Sequence, residues 1–324
     1  MTLKKDDKIF VAGHRGLIGQ AIVHRLNESG YNNIVTRTRS ELDLSKTELV
    51  QSFLKNESPD VVFIAAAKVG GILANDSFRA DFLFENLVIQ NNIIWGSHLA
   101  NVRRVIFLGS SCIYPKFADQ PIHEKSLLTG VLETTNQPYA IAKIAGLELI
   151  ESLRRQYQRD YLSLMPTNLY GPGDNFDLQN SHVLPALVRK IQDAKSHNVQ
   201  TVEIWGSGRP LREFMYSADC ADAIVHVAEH CDFDYFNRLG YSHINIGTGQ
   251  EVSINGLANQ IAEVVGYEGE LTFNTERPDG TPRKLLDSTN LKNSGWSPNF
   301  TLERGLRLTV DWYNSNYTDS VKKN

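Results

Sequence analysis

Short apolar runs alternate with helical patterns through the first half of the chain. Continuous apolar runs at residues 9–12, 34–36, 61–65, 105–108 and 162–165 predict strands that are buried on both faces. Between them, apolar residues recur at helical spacing; the first such set is Leu17, Ile18, Ala21, Ile22 and Leu26. Strands of this kind, separated by helices, are typical of a parallel sheet covered on both faces. The pattern predicts a doubly wound α/β fold.

From Pro166 onward the pattern becomes irregular. Turn-rich stretches at residues 170–175 and 206–210 flank a helical stretch from His182 to Lys195. A later strand is predicted from His243 to Ile246, and a helix from Ser253 to Val265. We see no repeats and no low-complexity linker. We therefore predict one domain over residues 1–165 and a smaller lobe over residues 166–324, with segments of the second returning to the first.

Composition excludes some classes of function. The 324 residues carry a formal net charge of -4, so we expect neither nucleic acid nor a membrane surface as a partner. The polar start of the chain predicts no secretory signal, and no apolar run reaches the about 20 residues of a membrane span. Cys112, Cys220 and Cys231 are scattered without metal-ligand spacing. We expect no metal site and a reducing, cytoplasmic compartment.

A glycine motif joins the first predicted strand to the first predicted helix. Its residues are Gly13, His14, Arg15, Gly16, Leu17, Ile18 and Gly19. Glycines at this spacing form the turn, let the backbone approach a pyrophosphate, and let the helix pack closely on the sheet. The helix N-terminus then presents unpaired N–H groups to the phosphates. Between a strand and a helix, the motif predicts a Rossmann-type dinucleotide site rather than a tight turn alone.

The end of the second predicted strand indicates which dinucleotide binds. An acidic residue there would hold the ribose 2′-hydroxyl of NAD, but residues 36–39 read TRTR. A guanidinium can bind a 2′-phosphate, and Arg15 lies within the glycine motif. Because side chains alternate along a strand, only one of Arg37 and Arg39 should face the cofactor, and the other is then a solvated charge. We expect NADPH, with Arg39 facing it.

Tyr139, Lys143 and Ser110 form a candidate proton-transfer group. Tyr139 and Lys143 lie four residues apart and share one face of a predicted helix. A nearby ammonium favours the phenolate, so we expect Lys143 to lower the pKa of Tyr139. Ser110 follows the fourth strand, at the carboxyl edge where ligands of such sheets bind. Its hydroxyl can hydrogen-bond a substrate carbonyl.

Together, the glycine motif, Ser110 and the YxxxK spacing resemble the extended short-chain dehydrogenase/reductase family. Alanines at residues 65–67 and PTNLYGP at residues 166–172 are similar to its nucleotide-sugar branch. Longer stretches resemble a narrower family, the GDP-L-fucose synthases. They are AAKVGGI at 66–72, GSSCIYP at 109–115, PYAIAK at 138–143, NSHV at 180–183 and PDGTPRK at 278–284. The resemblance extends over nearly the whole chain.

This resemblance implies two reactions in one site. Members of that family epimerise GDP-4-keto-6-deoxy-D-mannose at C3 and C5 and then reduce C4 with NADPH. The C4 ketone acidifies the C3 and C5 protons, and the resemblance implies that Cys112 and His182 exchange them. A thiol and an imidazole both titrate close enough to neutrality for this task. From the residues alone, Cys112 is also consistent with a small buried hydrophobe, and His182 with a capping or core histidine.

The resemblance also assigns the remaining site residues. Tyr139 would protonate the C4 oxygen, Ser110 would orient it, and Lys143 would bind the nicotinamide ribose. Besides the glycine motif and Arg39, the implied cofactor contacts are Asp43, Leu44, Ala66, Leu108, Gly109, Ser110, Lys143, Pro166, Asn168, Leu169 and His182. The second lobe would bind the GDP-sugar through Lys190, Trp205, Arg212, Asp279 and Lys284, with Lys190 in place of a family arginine. A homodimer is implied too, and Arg212 is also suited to a structural pair with Glu213 or Asp219.

Other functions remain open. A nucleotide-sugar 4-epimerase, another reductase or a 4,6-dehydratase of the same branch would share the fold. A dehydratase needs a carboxylate beside the serine, and residues 110–112 contain none. A non-catalytic protein that senses NADP(H) would not need the set of Ser110, Tyr139 and Lys143.

Overall fold

A computed structural model describes residues 2–178, 180–276 and 279–321. Pro278, the first residue of the PDGTPRK stretch, therefore lies outside the described residues. Within them the strands are β1 (Ile9–Ala12), β2 (Ile34–Val35), β3 (Val61–Ile64), β4 (Arg104–Leu108), β5 (Asp160–Pro166), β6 (Asn168–Tyr170), β7 (Thr201–Trp205), β8 (Leu211–Tyr216), β9 (His243–Ile246), β10 (Glu251–Ser253), β11 (Glu270–Asn274) and β12 (Arg283–Lys284). The helices are α1 (Leu17–Glu28), α2 (Thr47–Glu57), α3 (Ile72–Ser77), α4 (Arg79–Leu99), α5 (Gln137–Tyr157), α6 (Val183–Ser196), α7 (Ser217–His230), α8 (Phe233–Leu239), α9 (Ile254–Val265), α10 (Thr289–Asn293) and α11 (Leu302–Val321).

A six-stranded parallel sheet forms the centre of the first lobe. Its order is β2-β1-β3-β4-β5-β9, and each neighbouring pair is parallel. The strand order reverses direction between β1 and β3, so the carboxyl ends of β1, β3, β4 and β5 share one edge. Helices cover both faces of this sheet. The predicted doubly wound α/β fold is confirmed.

The apolar runs are continuous because both faces of the sheet are buried. In β1, Ile9 and Val11 belong to one hydrophobic core, whereas Phe10 and Ala12 belong to another on the opposite face. None of the four residues is more than 1% exposed. Successive side chains of a strand point to opposite faces, so every position of such a strand must be apolar.

The second lobe is built around strand β8. This strand pairs with β6, β10 and β12, while β7 and β11 form a separate parallel pair. Helices α6, α9 and α11 pack around a third core that includes Leu187, Leu257 and Leu306. The chain does not stay in this lobe. Strand β9 completes the first sheet beside β5, and α7 packs against α1.

Within the described part of the chain, no helix has both the length and the apolarity that crossing a membrane requires. The same residues contain no group of His, Cys, Asp and Glu side chains that could hold a metal ion.

Candidate active site

The glycine motif forms a tight turn against the loop after β3. Gly13 has φ 84°, and a Cβ added to it would lie 2.6 Å from the Ala66 amide nitrogen. A Cβ at Gly19 would overlap the Gly13 carbonyl oxygen. At Gly16, by contrast, the nearest atom to an added Cβ is 3.5 Å away. Glycine is thus needed at 13 and 19 for the backbone itself, and Gly16 leaves space at the helix N-terminus.

The start of α1 is suited to an anion. Gly16 occupies the N-cap position without a side-chain cap, and the first turn contains no acidic residue. The first N–H groups of a helix have no partner inside it, and they lie at the positive end of its dipole. Arg15 is exposed beside them. These features fit the pyrophosphate of a dinucleotide.

Arg37 and Arg39 have different surroundings in the structure, but the cause is not the alternation of side chains along a strand. Strand β2 ends at Val35, one residue earlier than predicted, because only Ile34 and Val35 pair with β1 at this sheet edge. The alternation argument was therefore wrong. Instead, an ion pair holds Arg37 to Glu57, with 2.6 Å between Nη2 and Oε1. Arg39 lies in the following loop with its side chain exposed.

The other expected cofactor residues lie along the carboxyl edge of the sheet. Asp43 and Leu44 follow β2, and the Asp43 carboxylate accepts hydrogen bonds from Ser45, which lower its pKa. The remaining residues stand at or just after the ends of the next strands; they are Ala66 after β3, Leu108 and Gly109 at β4, and Pro166, Asn168 and Leu169 at β5 and β6. Asn168 is fixed by a 2.8 Å bond to the Glu213 carbonyl oxygen.

Ser110, Tyr139 and Lys143 converge where β4 ends. The Ser110 hydroxyl lies beside the Tyr139 phenol; Ser110 comes from the turn after β4 and Tyr139 from α5. The Lys143 ammonium lies 5.9 Å from the centre of the Tyr139 ring and donates a 2.8 Å hydrogen bond to the Leu108 carbonyl. The spacing from 139 to 143 on α5 thus brings both residues to the same strand end.

The expected lowering of the Tyr139 pKa is wrong for this structure. Burial raises the pKa of Tyr139, the nearby Cys112 raises it further, and the Ser110 hydrogen bond only partly opposes them. Lys143 does not supply the expected stabilisation because it is itself buried, with 3% of its surface exposed. Burial lowers the pKa of Lys143 to about 7. Tyr139 is thus held as a neutral phenol, the form that can donate a proton.

Cys112 is a polar contact residue rather than a buried hydrophobe. It lies in the short turn after Ser110 and is only half-buried. Its Sγ accepts hydrogen bonds from Asn136 Nδ2 at 3.3 Å and from Lys284 Nζ at 3.4 Å. Cys220 and Cys231, in contrast, are buried, and burial raises the pKa of both thiols.

His182 comes from the second lobe and is neither a capping nor a core residue. It stands at the N-cap position of α6, but its side chain makes no cap hydrogen bond and remains exposed. Surrounding protein atoms lower its pKa by desolvation, and the positive charge of Lys284 lowers it further. Lys284 is therefore near both Cys112 and His182.

Gly71 explains how His182 is held, and sequence reasoning did not find its role. The Gly71 N–H donates a 2.9 Å hydrogen bond to the Asn180 carbonyl, two residues before His182. A Cβ at Gly71 would overlap the Ser181 carbonyl oxygen. The second glycine of the AAKVGGI stretch thus lets the loop after β3 touch the segment that carries the histidine. Only a tertiary contact reveals this requirement.

Arg212 and Lys284 are neighbours on paired strands. They occupy matching positions of β8 and β12. The structural pairing considered for Arg212 does not occur. Glu213 accepts backbone hydrogen bonds from Gly249 and Leu286, and Asp219 accepts them from the segment at residues 299–300.

The remaining candidate substrate residues form two contacts. The Lys190 ammonium lies 5.1 Å from the centre of the Trp205 ring, and burial lowers the pKa of Lys190. Asp279 accepts hydrogen bonds from the backbone and hydroxyl of Ser207, at 2.8 and 2.7 Å. These bonds lower the pKa of Asp279, so its carboxylate is charged. A cation beside an aromatic face and a charged carboxylate can bind different parts of a nucleotide.

The comparisons with known proteins agree with this geometry. The NAD dependent epimerase/dehydratase family matches residues 9–247. A GDP-L-fucose synthase from Escherichia coli is 51% identical over 95% of this chain and 97% of its own length. Among solved structures, a GDP-6-OMe-4-keto-L-xylo-heptose reductase from C. jejuni is 39% identical, with a TM-score of 0.91 over 97% of this chain and 99% of that chain. An NADP-bound GDP-L-fucose synthetase from Naegleria fowleri is 28% identical, with a TM-score of 0.87 over 98% of this chain and 96% of that chain.

The sheet, the glycine turn and the site at the end of β4 define a Rossmann-fold enzyme of the extended short-chain dehydrogenase/reductase class. The chain belongs to the NAD dependent epimerase/dehydratase family and, within it, groups with the GDP-L-fucose synthases.

Proposed function

We propose that this protein converts GDP-4-keto-6-deoxy-D-mannose into GDP-L-fucose, as a 3,5-epimerase and an NADPH-dependent 4-reductase. One observation carries the proposal. Two different kinds of proton carrier, the Tyr139 phenol and the Cys112 thiol, lie close to each other and to Ser110 in one site. A reductase alone needs only the first of them, whereas an epimerase that also reduces needs both.

NADPH is the proposed cofactor, and when bound it supplies the hydride for C4. The residues present fit such a group: the first turn of α1 has unpaired N–H groups, Arg15 is exposed just before it, and Arg39 is exposed in the loop after β2. Arg37 is held by Glu57, which leaves Arg39 for the 2′-phosphate. A guanidinium suits a phosphate because it offers two parallel N–H donors.

In the reduction, Tyr139 is proposed to protonate the C4 oxygen. Its raised pKa keeps the phenol protonated at neutral pH, so the proton is present when it is needed. Ser110, whose hydroxyl lies beside that phenol, is proposed to orient the same oxygen. Lys143 is proposed to contact the nicotinamide ribose. Its hydrogen bond to the Leu108 carbonyl oxygen holds the ammonium at the end of β4.

In the epimerisation, Cys112 is proposed as the base and His182 as the acid. The Lys284 ammonium donates a hydrogen bond to Cys112 Sγ, the atom proposed to remove the C–H proton that the ketone has acidified. A lowered pKa makes the protonated form of His182 a stronger acid but also a less populated one, so His182 must take up a proton before it can return one to the sugar. Since the two side chains come from different lobes, they can address opposite faces of the sugar ring.

The second lobe is proposed to bind the GDP portion through Lys190, Trp205, Arg212 and Asp279. A homodimer and a cytoplasmic location complete the proposal. A related reductase of GDP-heptose sugars remains the second candidate, because the C. jejuni reductase superposes with a TM-score of 0.91.

The test is to mix the protein with GDP-4-keto-6-deoxy-D-mannose and NADPH and to follow the absorbance of the reduced nicotinamide. Oxidation of NADPH together with GDP-L-fucose as the product, identified by chromatography and NMR, supports the proposal. Reduction to a sugar that is not inverted at C3 and C5 would contradict the epimerase half. Faster turnover of a GDP-4-keto-heptose would favour the second candidate.

A further inference from the structure

Two hydrogen-bond donors point at the sulfur of Cys112, more than a neutral thiol requires. A protonated thiol is a weak acceptor, yet Asn136 Nδ2 and Lys284 Nζ both direct donors at Sγ, at 3.3 and 3.4 Å. A thiolate, in contrast, is a charged acceptor whose hydrogen bonds are stronger. The two donors thus match the deprotonated form.

The Asn136 side chain donates a hydrogen bond to the Cys112 thiol and does not cap the helix that it precedes. It is the N-cap residue of α5, where an asparagine side chain ordinarily accepts a hydrogen bond from the helix backbone. Here it makes no such cap, and its Nδ2 is bonded to Cys112. A cap of this kind stabilises a helix, so the helix that carries Tyr139 and Lys143 lacks that stabilisation while Asn136 contacts the sulfur.

Lys284 is also placed for the thiol. Its neighbour Arg283 is paired with Glu251, at 2.8 Å. Within the described residues, no carboxylate forms an ion pair with Lys284, and Cys112 Sγ is the hydrogen-bond partner of its ammonium. A cation without a carboxylate partner, next to a thiol, lowers the free energy of the thiolate.

We infer that Lys284 and Asn136 are positioning residues that hold Cys112 as a thiolate, so that Lys284 serves the epimerase base rather than the GDP diphosphate. This inference rests on the proposed function, in which Cys112 removes the sugar protons. It also links the two reactions. A negative charge on Cys112 keeps Tyr139 protonated, which is the state that the later reduction requires.

The experiment measures the thiolate without any sugar. The full-length protein is treated with iodoacetamide at pH 7, and alkylation of Cys112 is followed by peptide mass spectrometry. Cys220 and Cys231 are buried, so Cys112 is the accessible thiol, and Cys112→Ala gives the background. The variants are Lys284→Met, Lys284→Arg and, as a matched control on the same strand, Arg283→Gln.

We expect Lys284→Met to slow alkylation of Cys112 about tenfold, since an adjacent cation changes the thiolate fraction by at least that factor. Lys284→Arg keeps the charge and should restore most of the rate, while Arg283→Gln should leave it unchanged. Asn136→Asp, which replaces the donor by a carboxylate, should also slow alkylation. NADPH binding, measured by fluorescence, verifies that each variant is folded. If Lys284→Met does not fold, Asn136→Asp provides the test.

The kinetic readout separates this role from binding of GDP. Loss of the thiolate should lower kcat for solvent-deuterium exchange at C3 and C5 with little change in KM. An unchanged alkylation rate together with a raised KM in Lys284→Met would overturn the inference and assign Lys284 to the diphosphate. Because alkylation requires no substrate, a slowed rate would stand even if the proposed sugar proved wrong.

Discussion

The cofactor end and the sugar end of the site are built in different ways. The pyrophosphate part of the proposed cofactor end is one continuous stretch, residues 13–19, whose shape follows from steric contacts of Gly13 and Gly19 with nearby backbone. The sugar end combines Cys112, Asn136, His182 and Lys284, which come from four separate segments. It depends on side-chain hydrogen bonds and on the backbone contact of Gly71.

This difference shows which part of the site is determined by a short continuous segment of sequence and which part requires the folded protein. A dinucleotide site needs unpaired N–H groups and space, and a strand, a turn and a helix supply both. Proton transfer at carbon needs charges at defined places, which only the assembled protein supplies. The two ends should therefore respond differently to substitution.

The largest expected effect separates the two reactions at Tyr139. Replacing Tyr139 by phenylalanine removes the proton donor, so C4 reduction should fall by about 10²–10⁴-fold, the range for general acid catalysis. Exchange at C3 and C5 should continue, because Cys112 and His182 are untouched. The variant is incubated with the keto sugar in deuterated water, and label is read by mass spectrometry. A folded variant that exchanges nothing would contradict separate roles.

The converse substitution tests the sugar end. Cys112→Ser keeps the size but removes an accessible thiolate, so exchange at both carbons should fall by about 10²-fold or more. His182→Asn should leave partial exchange without inversion. Any remaining reduction should give sugars that are not inverted, identified by NMR. Formation of GDP-L-fucose at a near-normal rate by Cys112→Ser would mean that the base lies elsewhere.

At the cofactor end, two neighbouring arginines provide a matched pair. Arg39→Ala should weaken NADPH binding by about 1.5–3 kcal/mol, as expected for hydrogen bonds to a charged group, and should leave NADH binding unchanged. Arg37→Ala should have little effect on either, since Glu57 already binds that guanidinium. Titration calorimetry gives both affinities. Equal use of NADH and NADPH by the unmodified enzyme would refute this assignment.

The smallest expected effect concerns Lys143 and pH. Burial lowers the pKa of Lys143 to about 7, whereas an unfolded lysine titrates near 10.4. Between these values the unfolded chain binds the extra proton, so stability should rise with pH and the penalty should be complete below pH 7. From pH 7 to 9 the gain should be about 2 kcal/mol larger in the wild type than in Lys143→Met. Urea unfolding at the two pH values measures the free energy of unfolding of both proteins. The same change with pH in the wild type and in Lys143→Met would show that Lys143 keeps its ordinary pKa.

Much of the fold could be predicted because its strands are buried on both faces. The runs at residues 9–12 and 243–246 match β1 and β9 at both ends. The predictions that failed concern burial and tertiary contacts. The pKa of Tyr139 rises because Lys143 is too buried to stabilise the phenolate, which helical spacing does not reveal.

The candidate site shows the same limit. The reductase and cofactor residues that the family resemblance marked lie around the end of β4 and the carboxyl edge of the sheet, whereas Lys190, Trp205 and Asp279 lie in the second lobe; the roles of all of them stay predictions. Asn136 was not predicted, since an asparagine before a helix is ordinarily read as a cap, and only the fold brings Cys112 to its side chain. Gly71 likewise needed the contact with Asn180 to explain it.

The return of β9 to the first sheet has a consequence for how the protein is made. Strand β5 acquires its outer partner only after the chain has passed through residue 246, when about half of the second lobe has been synthesised. Until then β5 is an exposed edge of apolar residues, the kind of surface that pairs with other chains and aggregates. A fragment ending near residue 165 should therefore be poorly soluble, because the ribosome completes the first sheet only when it is already well into the second lobe.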